Sequence, residues 1–230
     1  MQLIAMIILT LACCVAANSY LEASAAKQHK KAVRLKSAAS ACFVGVGIIA
    51  VTGCWYSRFG YLVLAGLSCG FIGDVLLGMR FVYRKKFNLF FCLGTAFFAA
   101  GHVLYIIALL SFTVKTLSVA IPYTVIGVSL SVLYAKKQRI KAGKYTLVGA
   151  AYITLVVFMA GCAAGCAVYA LSPGTILFAI GGLFFAVSDN LLAANCLGKT
   201  HTVDRDRALH ILYYSAQIFI GYSMIMLFVL

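Results

Sequence analysis

The sequence predicts an all-α fold, a polytopic transmembrane bundle of eight helices, and three observations predict it. The chain of 230 residues is 64% hydrophobic and only 10% charged, with a mean hydropathy of +1.03, far from the usual composition of a soluble domain. Apolar runs of roughly 17–25 residues recur along its length, each able to cross a hydrocarbon core of about 30 Å. The runs are continuous rather than alternating. Because backbone polar groups must be satisfied inside lipid, continuous runs select helices over a barrel.

The first span is read over residues 1–20. No Lys or Arg precedes it and its basic cluster follows it, the reverse of a cleaved signal peptide. The next three spans are 37–54, 61–79 and 88–112. The second four are 117–134, 145–169, 174–197 and 209–230. The connections are short, so residues 1–230 read as a single transmembrane helical domain without a linker.

A net charge of +14 would suit a nucleic-acid partner, but the placement of the charge argues for none. Lys27, Lys30, Lys31, Arg34 and Lys36 follow the first span, and Arg80, Arg84, Lys85 and Lys86 follow the third. Lys136, Lys137, Arg139, Lys141 and Lys144 follow the fifth; Lys199, Arg205 and Arg207 follow the seventh. Seventeen of the nineteen basic residues therefore lie on one side, with Arg58 and Lys115 opposite. The positive-inside rule puts that side in the cytosol and both termini outside, and the basic belt would meet anionic headgroups of membrane lipids. The nine cysteines, Cys54 among them, lie mostly within spans and read as small apolar residues. Cys162 and Cys166 are one turn apart without a spacing that completes a zinc set.

The two halves of the chain rhyme. Asp74 and Asp189 stand 115 residues apart, half the chain length, in "GDVLL" and "SDNLL". The same offset carries His102 of "FFAAGH" onto Gln217 of "LYYSAQ". Basic loops follow corresponding spans in both halves. The pattern suggests a parallel four-plus-four repeat. At 1.5 Å per residue, Asp74 lies about 9 Å inside Arg80 and Asp189 roughly 15 Å inside Lys199. A pseudo-two-fold axis along the membrane normal would let the two face each other.

Of five acidic residues, only Asp74 and Asp189 fall well inside spans; Glu22, Asp204 and Asp206 lie at boundaries. An ionisable group at such depth costs at least about 2.5–3.5 kcal/mol and usually faces a partner or a cavity. Other polar groups gather in the same half. Ser188, Asn190 and Asn195 flank Asp189. His210, Tyr213, Tyr214 and Gln217 follow i, i+3, i+4, i+7, one helical face. His102 and Tyr105 sit one turn apart in the fourth span, and Lys36 could pair with a carboxylate. The expected arrangement is a pocket with an apolar floor, two carboxyls as an acid and base pair, and a headgroup among Lys36, Arg80, Lys85 and Lys86. No Gly-x-Ser-x-Gly elbow, assignable Ser-His-Asp set or nucleotide loop occurs.

Four stretches, "GLSCGFIGDVLLGM", "LGTAFFAAGHVLYI", "GGLFFAVSDNLLA" and "LYYSAQIFIGY", resemble in order and spacing the signature helices of the YhhN-like lysoplasmalogenase family. The resemblance covers nearly the whole chain. It implies eight spans and hydrolysis of the vinyl ether bond of lysoplasmalogens to a fatty aldehyde and a glycerophospho-base. Carried over by motif, it implies Asp74, His102, Tyr105, Ser188, Asp189, Tyr214 and Gln217 as site residues. Lys36 matches a lysine at the start of the family's second helix, although the proline that usually follows there is Ser37 here. Vinyl ether hydrolysis needs protonation of carbon and attack of water. Two carboxyls can manage this much as they do in glycosidases, with no cofactor and no metal. Tyr213, Tyr214, Gln217 and Ser188 would orient water and headgroup oxygens.

Two intramembrane carboxyls and a parallel repeat would also serve a proton-coupled carrier. A metal hydrolase using His102, His210 and the two Asp residues, and a non-catalytic family member, are further readings. The expected partner is a lysophospholipid in an endoplasmic reticulum or plasma membrane, with the site facing the cytosol. Gly161 and Gly165, four apart, suit close helix packing within the chain or in a homodimer.

Overall fold

The computed structural model describes residues 1–53 and 57–228. Their regular structure is helical: α1 (Gln2–Ala25), α2 (His29–Thr52), α3 (Arg58–Val82), α4 (Phe87–Leu110), α5 (Leu117–Lys137), α6 (Thr146–Tyr169), α7 (Pro173–Leu197) and α8 (Val203–Phe228). Short 3-10 turns lead into α4, α5 and α6. Among the described residues, seven helices are long and apolar enough to cross a membrane. The exception is α8, whose first turns carry Asp204, Arg205, Asp206 and Arg207.

The helices overrun the apolar windows at their basic ends. α2 begins at His29, not near residue 37, so Lys30, Lys31, Arg34 and Lys36 are helical rather than loop residues. α8 likewise begins at Val203 rather than near residue 209. Hydropathy marks where the side chains stop being apolar, whereas the backbone ladder continues as long as flexible basic side chains can extend towards water. The expected ends of the second span at Cys54 and of the eighth at Leu230 lie outside the described residues.

Local signals explain several ends. Ser57 caps α3 by accepting from the Gly60 N–H at 3.2 Å. Ser172 and Thr175 form a reciprocal capping box at the start of α7, with Pro173 as its first residue. α1 and α5 end in the same way. Lys27 and Arg139 adopt left-handed backbone at φ 56° and 53°. The following N–H groups of Gln28 and Ile140 reach back to Ala23 and Ala135, and those of Lys27 and Arg139 reach Ser24 and Lys136. These are Schellman closures with a basic residue where glycine is usual, a placement costing each about 1 kcal/mol.

The chain divides into two compact units, residues 1–108 with the end of α8 from Met224, and residues 109–223. In the first, α1 packs on α2 and α2 on α3. In the second, α5 packs on α6 and α6 on α7. The same order of neighbours recurs, and so does one detailed contact. In the first unit, a Cβ on Gly66 would run into the Tyr105 ring, and one on Gly101 would stand 3.0 Å from the Gly66 carbonyl oxygen. In the second, a Cβ on Gly181 would stand 3.0 Å from both the Ala216 carbonyl oxygen and Ile220 Cγ1. Gly181, Ala216 and Ile220 are Gly66, Gly101 and Tyr105 displaced by 115 residues. The repeat offset seen in the sequence therefore governs helix packing as well as motif position. Gly161 and Gly165 pack within the chain, against Ala120 and Thr116 of α5 and the turn before it.

Candidate functional site

In the first unit, Asp74 is carried by α3 and is 1% exposed. α2 brings two partners to it. Lys36 Nζ lies 3.0 Å from one carboxylate oxygen, and Ser40 Oγ donates to the other at 2.6 Å. Lys36 and Ser40 are one helical turn apart, so a single α2 face grips both oxygens. Both α2 residues are largely shielded: Ser40 is fully buried and the Lys36 side chain is 13% exposed. The Lys36 ammonium also lies 5.6 Å from the centre of the Tyr20 ring on α1. The cluster is an ion pair taken out of water, a geometry that stays bound only because hydrogen bonds support the charges.

His102 and Tyr105 of α4 are both buried, with ring centres 6.1 Å apart in an edge-on arrangement. Tyr105 reaches its position because Gly66 leaves room for the ring. Of the four cations expected around a headgroup, Lys36 is engaged with Asp74. Arg80 is buried, with its guanidinium 4.6 Å from the Phe81 ring centre and 5.5 Å from those of Phe87 and Phe91. Cation–π contact offsets part of the cost of that burial. Lys85 and Lys86 are exposed.

In the second unit, Asp189 of α7 is also buried. Here the neighbouring helix supplies a phenol: Tyr152 of α6 donates to Asp189 at 2.8 Å. Ser188, beside it in sequence, returns its hydroxyl to the Phe185 carbonyl at 2.9 Å. The stripe on α8 is buried throughout. Gln217 donates to the Tyr213 hydroxyl at 3.2 Å, the Tyr213 and Tyr214 rings meet at 5.1 Å, and His210 lies 6.4 Å from Tyr214. Phe185 of α7 closes on Tyr213 edge-on at 5.4 Å. His210 also holds Asp206, with Nδ1 2.7 Å from the backbone carbonyl and 3.8 Å from the carboxylate.

The first unit thus brings together Lys36 and Asp74, and His102 and Tyr105. The second brings together Tyr213, Tyr214 and Gln217, and sets Asp189 and Ser188 on α7. Two partners escaped the sequence reading. Ser40 was legible in principle, one turn beyond Lys36. Tyr152 stands 115 residues beyond Ser37, next to Lys36, so the repeat offset pointed at it; a lone tyrosine within an apolar run gave no other signal.

Residues 35–224 match the YhhN family, more than four-fifths of the chain. The chain belongs to the YhhN family. The matched stretch opens one residue before Lys36 and runs through Gln217. It therefore takes in both carboxyls, their partners and the α8 stripe, and leaves α1 outside. No curated protein and no solved structure matches the chain.

Proposed function

We propose that this YhhN-family member is an ether hydrolase that cleaves the vinyl ether bond of lysoplasmalogens, releasing a fatty aldehyde and a glycerophospho-base. The observation that carries the reading is the duplicated carboxyl. Each half of an otherwise apolar chain buries one Asp and holds it with a polar side chain from the preceding helix. A protein keeps such costly groups inside a membrane for work on a substrate, and the substrates resident there are lipids.

Hydrolysis needs one proton delivered to the vinyl carbon β to the ether oxygen, which leaves an oxocarbenium ion. Water then adds at the cationic carbon and loses its proton, and the hemiacetal collapses to aldehyde and alcohol. The reaction calls for two roles, a donor of the first proton and a group that supports the cation and accepts the proton of water, and a carboxyl can fill either. Asp74 is ion-paired with Lys36 of the preceding helix. It suits the second role, which leaves donation to Asp189. Gln217 and the α8 tyrosines offer hydroxyl and amide groups to water and headgroup oxygens.

The test is aldehyde release from a defined lysoplasmalogen by the purified full-length chain, with Asp74→Asn and Asp189→Asn measured separately. Each variant is expected to lose about 100-fold or more in rate, the usual scale for a general acid or base. Two variants working at the unaltered rate would sink the mechanism.

A further inference from the structure

The first unit has an open cleft of about 550 Å³ where α2 begins and α3 ends. Gln28, His29, Lys30 and Lys31 form one wall, and Phe81 and Arg84 stand opposite. Arg84 Nη2 lies 3.5 Å from His29 Nε2, and the His29 ring stacks on Phe81 at 5.9 Å and 15°. No carboxylate is among the residues lining it. Lys30, Lys31 and Arg84 thus stand around the cleft beside the Phe81 ring.

The second unit shows that such a gap is not a necessary consequence of the fold. At its corresponding end, the turn after α5 is stitched to the end of α7. Lys141 N–H donates to the Leu197 carbonyl at 3.0 Å, Lys199 N–H to that of Gln138 at 3.3 Å, and Arg205 to the Gln138 side chain at 3.0 Å. Val82 and Arg84 of the open cleft are Leu197 and Lys199 displaced by the repeat offset. One mouth is closed by its own backbone; the other is left open and positively charged.

We propose that the cleft binds the phosphate-bearing headgroup of an anionic membrane phospholipid, separate from any substrate. Lys30, Lys31 and Arg84 match a phosphate in charge, and the Arg84 fork can engage two of its oxygens. The lipid source follows from position. The cleft lies at the limit of two apolar helices, and Phe81 and Phe87 are exposed beside it at 44% and 40%. Acyl chains therefore have apolar surface to lie on while the head sits among the cations. The proposal does not depend on the hydrolase reading.

The test is thermal unfolding of the full-length chain in detergent micelles doped with increasing dioleoyl phosphatidic acid, since a ligand that prefers the folded state raises the midpoint by mass action. Replacing Lys30 and Arg84 together by Gln is expected to weaken the apparent affinity about tenfold or more, on the scale of one charge contact per residue. Removing two charges elsewhere in the belt, Lys136→Gln with Lys137→Gln, should change it less than about twofold. Equal losses in both pairs would mean general attraction to the belt and would overturn the proposal. So would phosphatidylcholine stabilising as strongly as phosphatidic acid, or inorganic phosphate displacing the lipid at comparable concentration. Lys31→Gln, an exposed single change, supplies the same reading if the cleft pair fails to fold.

Discussion

Asp74 and Asp189 occupy corresponding places in two similar helical units, yet the units hold them differently. In the first, α2 offers an ammonium and a hydroxyl, one to each carboxylate oxygen. In the second, α6 offers the phenol of Tyr152. The scaffold around them is shared: the same order of helix neighbours, the same basic Schellman closure after α1 and α5, and the same small-residue contact at Gly66 with Gly101 and at Gly181 with Ala216. The difference teaches that a repeated frame preserves the position of a carboxyl while its partners are set by the side chains of the neighbouring helix. A partner ammonium holds a carboxyl as an anion, whereas a phenol can share a hydrogen bond with it in either state.

The largest effects should come from the carboxyls themselves. If Asp189 is the donor and Asp74 the supporting anion, Asp189→Asn falls further in aldehyde release than Asp74→Asn, towards the 10,000-fold end of the range for lost acid catalysis, about 100-fold being the lower end. A deeper loss at Asp74 would reverse the assigned roles. Next is Lys36→Met, which leaves Asp74 buried beside Ser40 without its ammonium. Breaking one side of a buried pair typically costs about 3–5 kcal/mol, whereas replacing both members by apolar residues restores much of it. Denaturant titration in micelles should find Lys36→Met less stable than Lys36→Met with Asp74→Leu; the opposite order would show that the pair is not the support it looks to be.

Packing gives a smaller pair of effects, on the scale of about 1–3 kcal/mol for an overfilled contact. Gly66→Ala pushes on the Tyr105 ring, and Gly181→Ala pushes on the Ala216 backbone and Ile220. Both should lower the unfolding midpoint, and Gly66→Ala should in addition disturb the His102 and Tyr105 ring contact. Wild-type midpoints for both would remove the evidence that the repeat is a packing rule. The mildest change is Tyr152→Phe, which deletes one hydrogen bond to Asp189 at about 1 kcal/mol. It should cost far less stability than Lys36→Met, and a loss as large as that one would mean the two halves support their carboxyls to the same degree.

Much of this was open to the sequence. Continuous apolar runs specify helices because lipid leaves the backbone no other way to satisfy itself, and two carboxyls stand out because nothing else acidic lies deep in the spans. What stayed hidden had a physical cause in each case. The early start of α2 was masked because basic side chains look like a loop to a hydropathy window. Arg80 looked like an open headgroup ligand because its phenyl neighbours Phe87 and Phe91 reach it only when the chain turns from α3 into α4. Tyr152 was hidden because a tyrosine among apolar residues reads as core until a partner is seen.

The sequence by itself determined the class of fold, the number of helices, the repeat offset and the two buried carboxyls. All of these follow from local composition and spacing, which hydrocarbon judges one segment at a time. Only the tertiary structure decided which side chain each carboxyl meets and which mouth is closed by its own backbone, because those outcomes depend on the rotation and close approach of neighbouring helices. That approach is governed by glycines whose contacts lie tens of residues away.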